Sequence, residues 1–141
     1  MRLLVDTNVL LDILLHREGF YEEAQEFFLR CYKKRNEVII SAMSLCDIGY
    51  IVARKTHSAE DGRRAIASAY RLVTKVVGVE TDDAINALFD RPGDYEDGLM
   101  MEAAERSMAD AIITRNEKDF GSSNIPVYSP KTINQIWESQ L

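Results

Sequence analysis

The residues Leu3-Leu4-Val5-Asp6-Thr7-Asn8 decide the fold, because a short apolar run ends there directly on a carboxylate. The apolar run favours a buried strand, and Thr7 and Asn8 can cap a helix that follows it. An aspartate at the end of such a strand is hard to explain as an ordinary surface residue. Asp6 is therefore the first candidate for a functional residue.

Length and composition indicate one globular domain. The chain has 141 residues, of which 46% are hydrophobic and 28% are charged, and we expect a single domain over residues 1–141. The net charge of −6 argues against a broad basic surface for a nucleic-acid backbone, although it leaves room for a local basic rim. No apolar run approaches the length of a membrane helix. The first residues lack the layout of a secretion signal, so we expect a cytoplasmic protein.

The cysteines and histidines indicate neither a disulfide nor a zinc site. Cys31 and Cys46 lack CxxC spacing, and we expect two free thiols, both buried or half-buried. His16 and His57 have no zinc-binding context, and we expect both at the surface.

Short apolar runs alternate with helical patterns along the chain. Strands are expected at residues 2–5, 38–40, 76–79, 111–114 and 127–128. Helices are expected between them, with caps at Ser41, Ser58, Thr81 and Ser129. This alternation predicts an α/β fold in which helices cover both faces of a parallel sheet.

Four aspartates are expected at one edge of that sheet, because ligands of open parallel sheets bind beyond the carboxyl ends of the strands. Asp6 follows the first strand, and Asp119 lies in the loop after the fourth. Asp47 lies in the helix after the second strand, and Asp97 in the first turn of the helix before the fourth. Carboxylates at close range raise each other's pKa. A hard divalent metal that prefers oxygen ligands would resolve that conflict.

Ordinary structural roles remain open for several acidic residues. Asp97 can complement the positive end of its helix, and Asp119 can form a turn. Four further aspartates are expected as helix-surface or cap residues: Asp12, Asp82, Asp83 and Asp110.

Several blocks of the sequence follow one another in a distinctive order. They are Leu3–Asp12, Ile40–Ile48, Asp94–Leu99, Ala109–Phe120 and Ile125–Pro130. This ordered set resembles the PIN domain family and covers nearly the whole chain. The size and the Thr-Arg-Asn-x-Lys-Asp-Phe block from Thr114 to Phe120 are similar to compact prokaryotic members. Those members include VapC-like toxins of toxin–antitoxin pairs.

The resemblance implies a flavodoxin-like sheet order of 3-2-1-4-5 and a metal-dependent endoribonuclease that uses Mg²⁺ or Mn²⁺. It places the metal on Asp6, Asp47 and Asp97. Supporting roles are expected for Asn8, Thr114 and Asn116.

Two positions depart from the family pattern. Asp47 stands where Glu is more usual, and being one methylene shorter it can reach a metal through water. The fourth acid falls at Asn116, which offers a neutral oxygen, so Asp119 is expected to take its place among the catalytic residues. A second metal should then bind weakly or arrive only with substrate.

The resemblance also implies partners. We expect an RNA substrate, an antitoxin protein and a homodimer. Arg115 and Lys118 are candidates for phosphate contacts, and Thr114 for holding a water or a phosphate oxygen. Aromatic residues between 20 and 32 can form a dimer or partner groove, although we expect at least half of them in the core: Phe20, Tyr21, Phe27, Phe28 and Tyr32.

Two other functions fit parts of the sequence. A phosphatase of the haloacid dehalogenase type also places an Asp after its first strand, but needs a second Asp two residues later, where this chain has Asn8. A PIN fold without efficient catalysis, acting as a binding module, stays open because of Asn116 and the acidic net charge.

Overall fold

A computed structural model describes all residues from 1 to 141, and strands and helices alternate along it as expected. The strands are Arg2–Val5 (β1), Glu37–Ser41 (β2), Lys75–Val77 (β3), Ala111–Ile113 (β4) and Val127–Tyr128 (β5). The helices are Thr7–Leu14 (α1), Tyr21–Lys34 (α2), Ala42–Thr56 (α3), Ala59–Leu72 (α4), Thr81–Asp90 (α5), Tyr95–Arg106 (α6) and Pro130–Ser139 (α7). A one-turn 3₁₀ helix, Glu117–Phe120, follows β4 where a loop was expected.

The five strands form one sheet in the order β3-β2-β1-β4-β5, and every pair is parallel. In the centre, Leu4 of β1 lies between Ile39 of β2 and Ile112 of β4. This confirms the expected α/β architecture and its strand order.

Most of the helix caps also agree with the expectations. The side chains of Ser41, Ser58 and Ser129 accept hydrogen bonds from backbone N–H groups in the first turns of α3, α4 and α7. Such caps satisfy donors that a helix start leaves free. Thr7 and Thr81, by contrast, are not caps but the first helical residues of α1 and α5.

Alternate residues of the central strands belong to two apolar clusters, one on each face of the sheet. Leu3 and Val5 of β1 pack with α1, α2 and α7, for example against Phe27 and Trp137. Leu4 points to the other face, where it packs with Met101 of α6. Each fully buried aliphatic side chain stabilises the fold by about 1.5–3 kcal/mol. Burial on both faces therefore holds β1 firmly and keeps its carboxyl end beside that of β4.

Residues outside the core behave largely as the composition indicated. None of the helices combines the length and the apolar character needed to cross a membrane. Both cysteines are free, as expected, but only Cys31 is buried, whereas Cys46 is exposed. Burial raises the pKa of the Cys31 thiol to about 12. His16 and His57 are exposed, as expected.

Candidate active site

Asp6 lies where β1 ends and α1 begins. It is held by hydrogen bonds to Ile113, the last residue of β4, and to Thr114, which follows it. Its backbone N–H donates to the carbonyl of Ile113 at 2.8 Å. Asp6 is only 6% exposed, and its carboxylate accepts a 2.7 Å hydrogen bond from the hydroxyl of Thr114. Burial raises the pKa of Asp6, and this hydrogen bond opposes the rise. Thr114 is itself fully buried, so its hydroxyl orients Asp6 and does not face a substrate.

A cavity of about 490 Å³ opens beside Asp6 and collects most of the expected site residues. Asp6, Asp47 and Asp97 all line it. The other polar residues of its lining are Thr7, Asn8, Arg17, Tyr50, Glu96 and Asn116. The structure thus brings together carboxylates from α3, α6 and the end of β1, which are far apart in the sequence.

The carboxylates of this cavity disturb one another electrostatically. Burial raises the pKa of Asp97 to about 7, and the negative charges of Asp94, Asp6, Asp119 and Glu96 add to the rise. A group with this behaviour in a cleft is typical of a functional site.

Asp47 and Glu96 form a second part of the same acidic region. Burial raises the pKa of Asp47. The pKa of Glu96 is raised chiefly by the charge of Asp47, with burial, Asp94 and Asp6 contributing less. An incoming cation would relieve this repulsion.

Asp119 and Asn116 occupy different positions relative to the cavity. Asp119 is exposed in the 3₁₀ helix and lies outside the lining, beside Lys118. Its charge nevertheless raises the pKa of both Asp6 and Asp97, so it lies close enough to act on them. Asn116 lines the cavity, and its backbone N–H donates to the Thr114 hydroxyl at 3.0 Å.

Two aspartates expected as helix-surface or cap residues are buried ion-pair partners. Asp83 is also a cap residue, because its carboxylate accepts a 2.9 Å hydrogen bond from the backbone N–H of Glu80 at the start of α5. Asp12 is 1% exposed, and Arg115 binds it through Nε at 2.7 Å and Nη2 at 3.2 Å. Asp83 is bound by Arg106, whose hydrogen bonds hold the pKa of Asp83 below its usual value. The Arg115 guanidinium also lies 4.0 Å above the ring of Phe20. Arg115 is thus engaged within the protein and is not the free phosphate-binding group that the sequence suggested.

The cavity contains two residues that the sequence did not single out. Glu96 was considered only as a complement to a helix end, although the acidic run Asp94-Tyr95-Glu96-Asp97 was a signal. Arg17 gave no signal, because its approach to the cavity depends on the turn between α1 and α2.

The donor set suits a hard divalent cation, because it consists of oxygen ligands whose negative charges repel one another. No group of three or more His, Cys, Asp or Glu side chains is close enough together to coordinate an ion as the side chains stand. Mg²⁺ keeps several of its waters and so needs few protein carboxylates. Asp6 and Asp97 would hold it, with Asp47 directly or through water.

Comparison with known proteins gives one family and several related folds. A family model described as the PIN domain matches residues 2–118. No curated protein sequence matches the chain.

Three solved structures show how widely this fold occurs. VapBC2 from Rickettsia felis, bound to a promoter DNA fragment, is 16% identical, with 92% of this chain and 98% of that chain covered and a TM-score of 0.66. PAE2754 from Pyrobaculum aerophilum is 14% identical, with coverages of 99% and 91% and a TM-score of 0.68. VapC20 from Mycobacterium tuberculosis, a sarcin-ricin loop cleaving toxin, is 16% identical, with coverages of 87% and 95% and a TM-score of 0.62. At these identities the likeness concerns the fold.

Proposed function

The chain belongs to the PIN domain family, and on this premise we propose that it is a metal-dependent endoribonuclease that hydrolyses RNA phosphodiesters. The observation that carries the proposal is the shared cavity of Asp6, Asp47 and Asp97, with the pKa of Asp97 raised to about 7. Such a cavity gains most from a divalent cation, and a bound cation can activate water for attack on a phosphodiester.

In this proposal, each residue has a defined task. Asp6 and Asp97 hold Mg²⁺ or Mn²⁺, and Asp47 contributes directly or through water. When bound, the cation lowers the pKa of a coordinated water and offsets charge that develops on the phosphoryl oxygens. Thr114 keeps the Asp6 carboxylate in one orientation through its 2.7 Å hydrogen bond. Asp119 adds negative charge at the edge of the site, and Asn116 offers a neutral oxygen from its lining.

The proposal is tested by incubating end-labelled RNA with the purified protein in Mn²⁺, Mg²⁺ or EDTA. We expect cleavage only with the metals. Asp6→Asn and Asp97→Asn should abolish it, because each removes a charged ligand of the cation while leaving the fold intact. Asp82→Asn is the matched control, since Asp82 is exposed on α5 and does not line the cavity. Metal-dependent activity retained in both site variants would refute the assignment of the site.

We further propose that the protein is the toxin of a toxin–antitoxin pair and works in the cytoplasm. The structural likeness to VapBC2 and VapC20 supports this assignment. The test is to express the chain alone and together with any small protein encoded beside it. Growth arrest by the chain alone, relieved by that neighbour and absent for Asp97→Asn, is the expected result. Normal growth of cells that contain soluble active protein would contradict it.

A homodimer is part of the same proposal. Of the five aromatic residues between 20 and 32, fewer lie in the core than expected. Phe27 is fully buried and Phe28 packs against the core, whereas Phe20 and Tyr32 are exposed, Tyr32 to 85%. Tyr32 and the exposed Leu29 lie on α2 and support a contact between copies. Light scattering after gel filtration should give twice the mass of the chain, and Tyr32→Glu should shift it towards the monomer. A wild-type monomer at all concentrations would exclude the homodimer.

A binding module without efficient catalysis is the second candidate. Asn116, in place of an acid, and the lack of three carboxylates within coordinating distance favour it. Calorimetric titration with Mn²⁺ separates the two functions. A nuclease should bind Mn²⁺ at a specific site that Asp97→Asn weakens, whereas a module without catalysis should show no such site.

A further inference from the structure

One basic side chain enters the acidic cavity. Arg17, in the turn between α1 and α2, lines the cavity together with Asp6, Asp47, Glu96 and Asp97. No other Lys, Arg or His belongs to the lining. A fixed positive charge is most useful there if a negatively charged ligand has to approach an acidic surface.

The backbone around Arg17 holds this residue in place. Its N–H donates to the carbonyl of Asp12 at 3.0 Å, and its own carbonyl accepts from Tyr21 at 2.9 Å. Both ends of the turn are thereby tied to helices that pack in the core. Because the backbone is anchored on both sides, the turn itself loses little conformational entropy when Arg17 binds a ligand.

The Arg17 guanidinium keeps free hydrogen-bond donors. Its Nη1 lies 3.6 Å from the Asp12 carboxylate, and its side chain is 33% exposed. That separation is too long for a good hydrogen bond. Arg115 donates one hydrogen bond to each oxygen of the Asp12 carboxylate. Asp12 therefore orients Arg17 by charge without saturating it.

We infer that Arg17 binds a backbone phosphate of the RNA strand next to the bond that is cleaved. The planar guanidinium presents paired donors that match the oxygens of a phosphodiester, and it lies on the wall of the cavity that holds the carboxylates. Arg115, the other arginine on Asp12, already donates two hydrogen bonds to Asp12 and lies against the ring of Phe20. Asp12 is then a positioning residue, which keeps Arg17 directed at the substrate. This inference rests on the proposed nuclease function.

The test measures RNA binding separately from cleavage. Fluorescence anisotropy measures the binding of a labelled single-stranded RNA that the wild-type protein cleaves. Ca²⁺ replaces Mg²⁺ or Mn²⁺ so that binding is followed without cleavage. Ca²⁺ also prefers oxygen ligands, but without the strict octahedral geometry of Mg²⁺. Arg17→Gln should weaken binding roughly tenfold, the typical effect of losing hydrogen bonds from a charged group. It should also lower the slope of log Kd against log salt by about 0.7, the value for one phosphate contact on a single strand.

Two variants make the comparison specific. Arg71→Gln removes the same charge from an exposed residue at the end of α4, outside the cavity, and should leave Kd and the salt slope unchanged. Arg17→Lys keeps the charge without the planar fork, so it should restore the slope and only part of the affinity. The melting temperature of each variant shows that it is folded.

Each outcome separates this inference from the function on which it rests. If the wild-type protein cleaves RNA but Arg17→Gln binds as tightly as Arg71→Gln, Arg17 is a structural ion-pair partner only and the inference is wrong. A salt slope that falls as far in Arg17→Lys as in Arg17→Gln would also overturn it. If the wild-type protein neither binds nor cleaves any RNA, both the proposed function and this inference are wrong.

Discussion

At the scale of single residues, the hydrogen bond from Thr114 to Asp6 fixes the orientation of a proposed metal ligand at the edge of the sheet. The 2.7 Å contact joins residues that are 108 positions apart, and it lowers the pKa of an Asp6 carboxyl that burial would otherwise raise further. A neutral Asp6 is a poor metal ligand, so this hydrogen bond favours the form that binds a cation.

Replacing Thr114 by Val removes the hydroxyl while conserving the shape. Without its donor, the Asp6 carboxyl should have a higher pKa, and the acid limb of the pH–rate profile should move to higher pH. Thr114→Ser keeps the hydroxyl and serves as the control. An acid limb at the same pH in Thr114→Val and in the wild-type protein would show that this hydrogen bond does not tune the site.

Asp97 makes the stability of the metal-free protein depend on pH. Its pKa is about 7 in the fold against an ordinary value of 3.8, so the folded state favours the protonated form. That contribution is complete below about pH 4 and is lost as the pH rises through 7. In EDTA, Asp97→Asn should therefore raise the melting temperature at pH 8 but hardly at pH 4. An equal effect at both pH values would contradict the raised pKa.

Asp119 and Asn116, the two residues considered for the role of the fourth acid, can be ranked by activity. Asp119 acts on Asp6 and Asp97 through its charge, whereas Asn116 offers a neutral side chain. We expect Asp119→Asn to reduce RNA cleavage more than Asn116→Ala does, when initial rates are measured at one Mn²⁺ concentration. The opposite ranking would remove Asp119 from the catalytic residues.

At the scale of elements, the helix pair α3 and α4 is held together by glycines that permit close approach. A Cβ on Gly62 would lie 2.6 Å from the backbone carbonyl oxygen of Gly49. A Cβ on Gly49 would instead lie 2.5 Å from the Cδ1 of Ile66, the end of a side chain that can rotate away. Since α3 also carries Asp47, this packing positions one of the cavity's carboxylates.

Gly62→Ala should lower the free energy of unfolding by about 1–3 kcal/mol, the usual cost of overpacking. Alanine favours a helix by about 1 kcal/mol over glycine, but a backbone atom cannot move aside as a side chain can. Gly49→Ala is the matched comparison and should cost clearly less. Urea denaturation of both variants measures the difference, and equal losses would show that the carbonyl contact is not what limits the approach.

At the scale of the whole molecule, local patterns were enough to predict the sheet. Leu3, Ile39 and Ile112 lie in apolar runs whose period and length identify buried strands, and serine caps mark several helix starts. Such signals involve neighbouring residues, so a single sequence contains them. The PIN resemblance added the strand order, which the structure confirms.

Contacts between distant parts of the chain could not be predicted in this way. The pair of Asp12 and Arg115 joins residues 103 positions apart, and nothing near either residue reveals its partner. Arg17 reaches the cavity only because the turn after α1 brings it there. Asp6, Asp47 and Asp97 were predictable because each lies near the carboxyl edge of the sheet, where topology alone brings side chains together.

The account as a whole depends on a divalent cation held by Asp6 and Asp97. The most direct measurement is anomalous diffraction from a crystal soaked in Mn²⁺. We predict a strong peak between these two carboxylates, within reach of Asp47 through water, and no such peak in a crystal of Asp97→Asn. A map without anomalous density in this cavity, or with manganese bound only elsewhere, would contradict the account.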